Sequence, residues 1–205
     1  MFLCKNIPIS ESPHIFVVTE LKNMKIVIIL MLSFFSFTTT ATTLSSSEKQ
    51  ALIDLYYATD GDHWTESWDL TTPVENWKGV TIIDHKVVAL QLTNNNLNGE
   101  LPASIGDLIH VKVINLHNNT IKGEIPASIG DLNHLRSLNL SLNTLEGNIP
   151  EEISKIKNLE YLYLYANDFT GVFPEKISKL PNLRRVRMYA THITMDTTHT
   201  LAIVY

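Results

Sequence analysis

One cysteine, Cys4, is all that the 205-residue chain contains, so no disulfide can form within it, and packing and hydrogen bonds alone must hold the fold. Charge is sparse as well. Lys, Arg, Asp and Glu make up 18% of the residues and leave a net charge of −5, which gives no electrostatic case for nucleic acid. The longest apolar stretch, residues 26–37, is interrupted by Ser33 and Ser36 and falls short of the roughly 20 residues needed to cross a bilayer. Catalytic signatures are missing too: there is no nucleophile elbow, no Gly-rich phosphate loop ending in Lys-Ser/Thr and no paired-His zinc helix. The expectation is a protein without cofactor, resident metal or enzymatic activity.

That apolar stretch follows Met24 and Lys25 and runs into the small, Thr-rich exit at residues 38–43 around Ala41. A single cation, about a dozen apolar residues and a small-residue exit predict a secretory signal peptide over residues 24–41, cleaved after Ala41. Residues 1–23 then form an extension upstream of the expected start at Met24. No cysteine follows the apolar run, so no lipid attachment is expected there.

From residue 87 onward the chain repeats itself. Leu92, Leu116, Leu140, Leu164 and Met188 recur every 24 residues, and a period of this length marks a solenoid. Two apolar residues flanking a polar one, such as Leu138 and Leu140, read as a short strand with those two side chains inward. Asn95, Asn119, Asn143 and Asn167 form a column just beyond these strands, where a side-chain amide can satisfy turning backbone. Gly99, Gly123, Gly147 and Gly171 suit left-handed turns. Pro102, Pro126, Pro150 and Pro174 fix the return path. The repeats occupy residues 87–193, and residues 194–205 read as a degenerate or truncated end.

Residues 42–86 read as an N-terminal cap. Ser45 and Glu48 fit a capping box ahead of a helix over residues 48–59, with Asp60-Gly61 as the stop. Trp64, Trp68 and Trp77 are better suited to covering the apolar end of the first coil than to serving as a ligand platform. Residues 80–83, Asp84-His85 and residues 86–92 predict a hairpin feeding the first repeat.

The frame Leu-x-x-Leu-x-Leu-x-x-Asn-x-Leu-x-Gly-x-Ile-Pro resembles the leucine-rich repeat family, in the 24-residue subtype of plant receptor ectodomains and many exported microbial proteins. The segments 51–56, 61–64 and 77–80 are similar to the cap that accompanies such repeats. Plant versions usually close that cap with a Cys pair, and its absence resembles the disulfide-free cap of exported microbial proteins. The resemblance implies an α/β solenoid: a curved, right-handed coil with a short parallel sheet on its concave face and a helix-plus-hairpin cap. It further implies a protein or peptide partner bound on that face.

The outward strand positions change character along the array. Ala89, Gln91, Thr93, Val113, Asn115, His117, Ser137, Asn139 and Ser141 give way to Tyr161, Tyr163 and Tyr165, then Arg185, Arg187 and Tyr189. With strands roughly 4.8 Å apart, the last six stack into one patch, and these six together with His117 are the expected partner-binding residues. Tyr and Arg combine contact area with hydrogen bonding and planar charge. Five short strands give a footprint of roughly 300 Å², below the roughly 800 Å² per partner of a standard interface. A stable partner must therefore also use flanking loops.

His110 and His134 share a column and are expected to stack, without a third metal ligand. Asp60 and Asp62 lack the remaining ligands of a calcium loop. Asn118 and Asn139 begin glycosylation sequons that the repeat also produces by itself. The expected protein is an exported module that binds a protein or peptide, at the cell surface or secreted. The alternative is the sensor part of a larger receptor, whose membrane attachment would require a C-terminal anchor. Oligomeric state is not legible.

Overall fold

The computed structural model describes residues 43–194, all within one compact unit. The expected upstream extension and signal peptide, and the tail beyond Thr194, lie outside the described residues. Among the described residues no helix is long and apolar enough to cross a membrane.

The cap begins with α1 (Ser46–Ala58), two residues earlier than the sequence suggests. The Ser45 hydroxyl accepts the Glu48 amide at 3.2 Å and donates to the Glu48 carboxylate at 2.9 Å. The other carboxylate oxygen accepts the Val87 amide at 3.3 Å. A buried glutamate therefore serves the helix start and the first repeat strand together, whereas an ordinary capping box stays within its own helix. At the C-terminal end the left-handed residue is Asp60, not Gly61. Gly61 is needed for space, because a Cβ there would lie 2.3 Å from the Tyr56 ring.

The three tryptophans are buried. Trp68 packs edge-on against Trp64 at 4.8 Å and stacks on Trp77 at 4.9 Å between ring centroids. Their indole N–H groups donate to the carbonyls of Thr59, Lys78 and Asp69. With rings hidden and donors used, they cover the end of the solenoid.

The strands β1 (Val80–Ile83) and β2 (Lys86–Gln91) form the expected antiparallel hairpin. Asp84 and His85 are both left-handed at its tip, as a two-residue hairpin turn of matching twist requires. Parallel strands β4 (Val113–Asn115), β6 (Ser137–Asn139), β8 (Tyr161–Tyr163) and β10 (Arg185–Arg187) then add in sequence order, giving a six-stranded sheet β1-β2-β4-β6-β8-β10. A second parallel sheet comprises β3 (Asn98–Glu100), β5 (Thr120–Gly123), β7 (Thr144–Asn148) and β9 (Asp168–Thr170). The sequence pattern alone suggests only turns there.

Each return path starts at one of the four prolines, whose fixed φ leads into a 3₁₀ turn (Ala103–Asp107, Ala127–Asp131, Glu151–Lys155) or the short helix α2 (Glu175–Ser178). Between strands and turns runs one continuous apolar core that includes Leu90, Ile114, Leu138, Leu162 and Val186 from the six-stranded sheet, Ile121, Leu145 and Phe169 from the second sheet, and Leu97 just ahead of it.

The asparagine column is buried. The Asn143 amide donates to the carbonyls of Leu116 and Leu140 at 3.0 Å, and its oxygen accepts the Ile121 amide at 3.0 Å. Asn119 and Asn167 repeat this pattern. Each side chain closes backbone groups of two coils that the turn would otherwise bury unpaired. Thr191, in the same column, keeps one such bond, from its hydroxyl to the Met188 carbonyl at 2.6 Å. Just before the column lies a row of left-handed residues: Asn94, Asn118, Leu142, Ala166 and Ala190, with φ of 53–55°. Leu and Ala there carry conformational strain, for which Asn or Gly is the usual remedy.

Candidate partner-binding face

The period of two along β4, β6, β8 and β10 sends Ile114, Leu138, Leu162 and Val186 into the core and the intervening residues outward. Parallel register places Arg185 beside Tyr161 and Arg187 beside Tyr163. The Arg187 guanidinium carbon lies 5.9 Å from the centre of the Tyr163 ring, within reach of a cation–π contact. Tyr161 and Tyr163 lie side by side with centroids 6.4 Å apart and planes 14° from parallel. Tyr165 and Tyr189 stack more closely, at 4.6 Å and 12°.

His117 joins this group from two coils away. Its Nδ1 is 2.9 Å from the Ser141 hydroxyl, and its ring lies 6.2 Å from that of Tyr165. Ser141, expected as an outward polar residue, is instead fully buried, and its hydroxyl also donates to Asn139 Oδ1 at 2.5 Å. A small, sunken residue in the intervening coil lets His117 approach the aromatic row. The structure therefore brings all seven predicted residues, His117, Tyr161, Tyr163, Tyr165, Arg185, Arg187 and Tyr189, onto one face. Tyr189 is 61% exposed, Arg185 is exposed, and the others are half-buried.

A second row goes unread in the sequence because it stands one residue ahead of the strands. Lys112, Arg136, Glu160 and Arg184 recur at 24-residue intervals and continue the backbone ladder: the amides of residues 136, 160 and 184 each donate to the row residue of the previous coil. Glu160 is held between two guanidinium groups, Arg136 Nη1 at 3.8 Å from one carboxylate oxygen and Arg184 Nε at 3.4 Å from the other. The signal that could have found the row is the same periodicity, applied to charge.

Other candidates resolve as architecture. His110 and His134 are neighbours but do not stack: their ring centroids lie 5.6 Å apart with the planes tilted by 56°, and His134 Nδ1 lies 2.9 Å from the Ile109 carbonyl. Asn158 and Asn182 make the equivalent bonds to Asn133 and Lys157, so this column is another backbone ladder. Among the described residues no group of three or more His, Cys, Asp or Glu is placed to hold a metal ion. Asp60 pairs with His63 at 2.8 Å and holds its imidazole above the usual His range, through the hydrogen bond first and charge second. That pair belongs to the turn after α1.

A family model described as a leucine-rich repeat region matches residues 86–204, more than half of the chain. No curated protein matches it by sequence. Among solved structures, the complex of BIR3 and SERK2 from Arabidopsis thaliana aligns at 27% identity and a TM-score of 0.62, over 70% of this chain and 81% of that one. A plant ice-binding protein aligns at 27% identity and a TM-score of 0.64, over 74% of this chain and 50% of that one. A plant peptide hormone receptor, RGFR1 in complex with RGF2, aligns at 33% identity and a TM-score of 0.51, over 52% of this chain but 17% of that one. These are plant proteins, and the microbial affiliation suggested by the cysteine-free cap has no counterpart among them. Receptors and an ice-binding protein share the architecture, so the fold does not choose between functions. With its repeats, both sheets and the matched region in agreement, the chain belongs to the leucine-rich repeat family, in the subtype that plant receptor proteins carry.

Proposed function

We propose that the chain is an exported, non-enzymatic binding module that contacts a protein or peptide through Tyr161, Tyr163, Tyr165, Arg185, Arg187, Tyr189 and His117. The observation that carries this reading is their assembly into one face by contacts among themselves: two tyrosine pairs, an arginine over a ring and a histidine leaning across a buried serine. None of these side chains is spent on closing the core, and Tyr and Arg are the types that dominate interface energetics. The similarity to a receptor solved with a hormone supports a peptide-sized partner. The alternative, the sensing part of a larger cell-surface receptor, is supported by the same similarity. Both readings use the same face.

The test is selection of a random ten-residue peptide library displayed on phage against the folded protein. Selected peptides are expected to lose binding to the double variant Tyr163→Ala/Arg187→Ala, while its thermal transition stays within a degree or two of the parent. Unchanged binding rejects the face. Export is tested separately, by sequencing the N-terminus of the protein released from an expressing eukaryotic cell. A start at Thr42 is expected, and retention of residues 24–41 overturns it.

A further inference from the structure

From the second to the fifth coil, the outward strand positions and the row preceding them contain Lys112, Arg136, Arg184, Arg185 and Arg187 but a single carboxylate, Glu160. The whole chain has a net charge of −5, so this side runs against the average. The second sheet carries the opposite balance, with Glu100, Glu146 and Asp168 on its strands against Lys122. A solvated surface without a partner has no need to separate the signs in this way.

Glu160 shows what the row accepts. Its two oxygens are shared between the guanidinium groups of neighbouring coils, and its side chain is 20% exposed while those of Arg136 and Arg184 are 63% and 69% exposed. The guanidiniums thus keep most of their surface open, with one carboxylate already seated between them. Lys112, Arg185 and Arg187 make no ion pair among the described residues. The row spans three strand spacings, roughly 14 Å, about four residues of extended peptide.

We propose that the contacting segment of the partner is an acidic, extended peptide, held by Lys112, Arg136 and Arg184 along the rim and by Arg185 and Arg187 beside the tyrosines, with Glu160 competing internally for the same guanidinium groups. This rests on the binding-face reading above and adds the chemistry of the ligand. Single exposed ion pairs contribute little, but several of one sign raise the encounter rate and disfavour basic partners. Such binding weakens as salt screens it.

The same library provides the probe. Selection at low salt is expected to enrich Asp and Glu, and a synthetic peptide of the selected sequence should bind about tenfold more weakly to Arg136→Gln/Arg184→Gln. Glu160→Gln should tighten binding about threefold, by removing the internal competitor, with the melting temperature of both variants close to that of the parent. Neutral or basic peptides that still depend on Tyr163 and Arg187 overturn the acidic partner and leave the face standing. Acidic peptides indifferent to Arg136→Gln/Arg184→Gln and to Glu160→Gln overturn the role of the row. Retention of polygalacturonate through Arg136 and Arg184, with no peptide selected, replaces the peptide by an anionic polysaccharide. A library that yields nothing, with no polysaccharide retained, overturns face and row together.

Discussion

The buried asparagine column and the tyrosine–arginine face are built on the same coils, a few residues apart, and use polar side chains in opposite ways. Asn143 turns inward and spends its amide on Leu116 and Leu140 and its oxygen on Ile121. Tyr161, Tyr163 and Arg187 face outward and lie against one another, with Arg185 in register beside Tyr161. Asn119, Asn143 and Asn167 recur because the repeat backbone they serve is the same in each coil, while Asn95 turns the same amide to the cap backbone at Glu66. The face changes from Ser and Asn to Tyr and Arg because no repeated backbone need fixes it. The buried column of one repeated residue type therefore reports on folding, and the outward positions whose residue type changes from coil to coil report on recognition.

The strongest attempt to break that division is Asn143→Ala. It takes the side-chain acceptor from the buried Ile121 amide and one of two asparagine donors from each of the Leu116 and Leu140 carbonyls, which keep Asn119 and Asn167; an expected loss of about 1–3 kcal/mol is read by chemical denaturation. Peptide binding per folded molecule should remain. A variant that melts normally but no longer binds contradicts the division.

Thr191→Asn sharpens it from the other side. The threonine makes one of the ladder's bonds, and restoring an amide should add about 0.5–1 kcal/mol without altering affinity. No gain in the denaturation midpoint shows that the fifth coil cannot complete the ladder.

Leu142→Gly probes the left-handed row between the two features. Leu142 is 42% exposed at φ 55°, so relief of strain and loss of partial packing oppose each other. Strain of about 1–2 kcal/mol outweighs the packing of a side chain this exposed, and a net gain of about 0.5 kcal/mol is expected. A lower melting temperature would mean that packing wins instead.

The smallest effect lies outside both features. Because Asp60 raises the His63 pKa, the pair favours the folded state most below about pH 6.5, the unfolded His value, and that contribution fades as pH rises through the folded value. Both side chains are well exposed, so the readout is NMR titration rather than stability. Asp60→Asn should lower the His63 midpoint, and an unmoved midpoint removes the pair.

The repeats, the inward Leu positions, the asparagine column and the hairpin were legible because periodicity states them directly. The second sheet was not, since strands such as Asn98–Glu100 and Asp168–Thr170 are short and polar on one side, and only their stacking makes them strands. Glu48 was legible as a helix cap but not as the partner of Val87, a contact 39 residues away in sequence. The seven face residues could be read from alternation along the strands. Ser141 could not, because its burial follows from His117 crossing above it. The Lys112–Arg184 row was missed because both it and the next residue point outward, which alternation alone does not anticipate.

The most direct measurement is the affinity of library-selected peptides for Tyr163→Ala/Arg187→Ala, titrated beside Asn143→Ala at a temperature where both remain folded. Loss of binding in the first with retention in the second is the expected result. Retention in the first with loss in the second would place recognition in the repeat framework, contradicting the separation of folding from recognition.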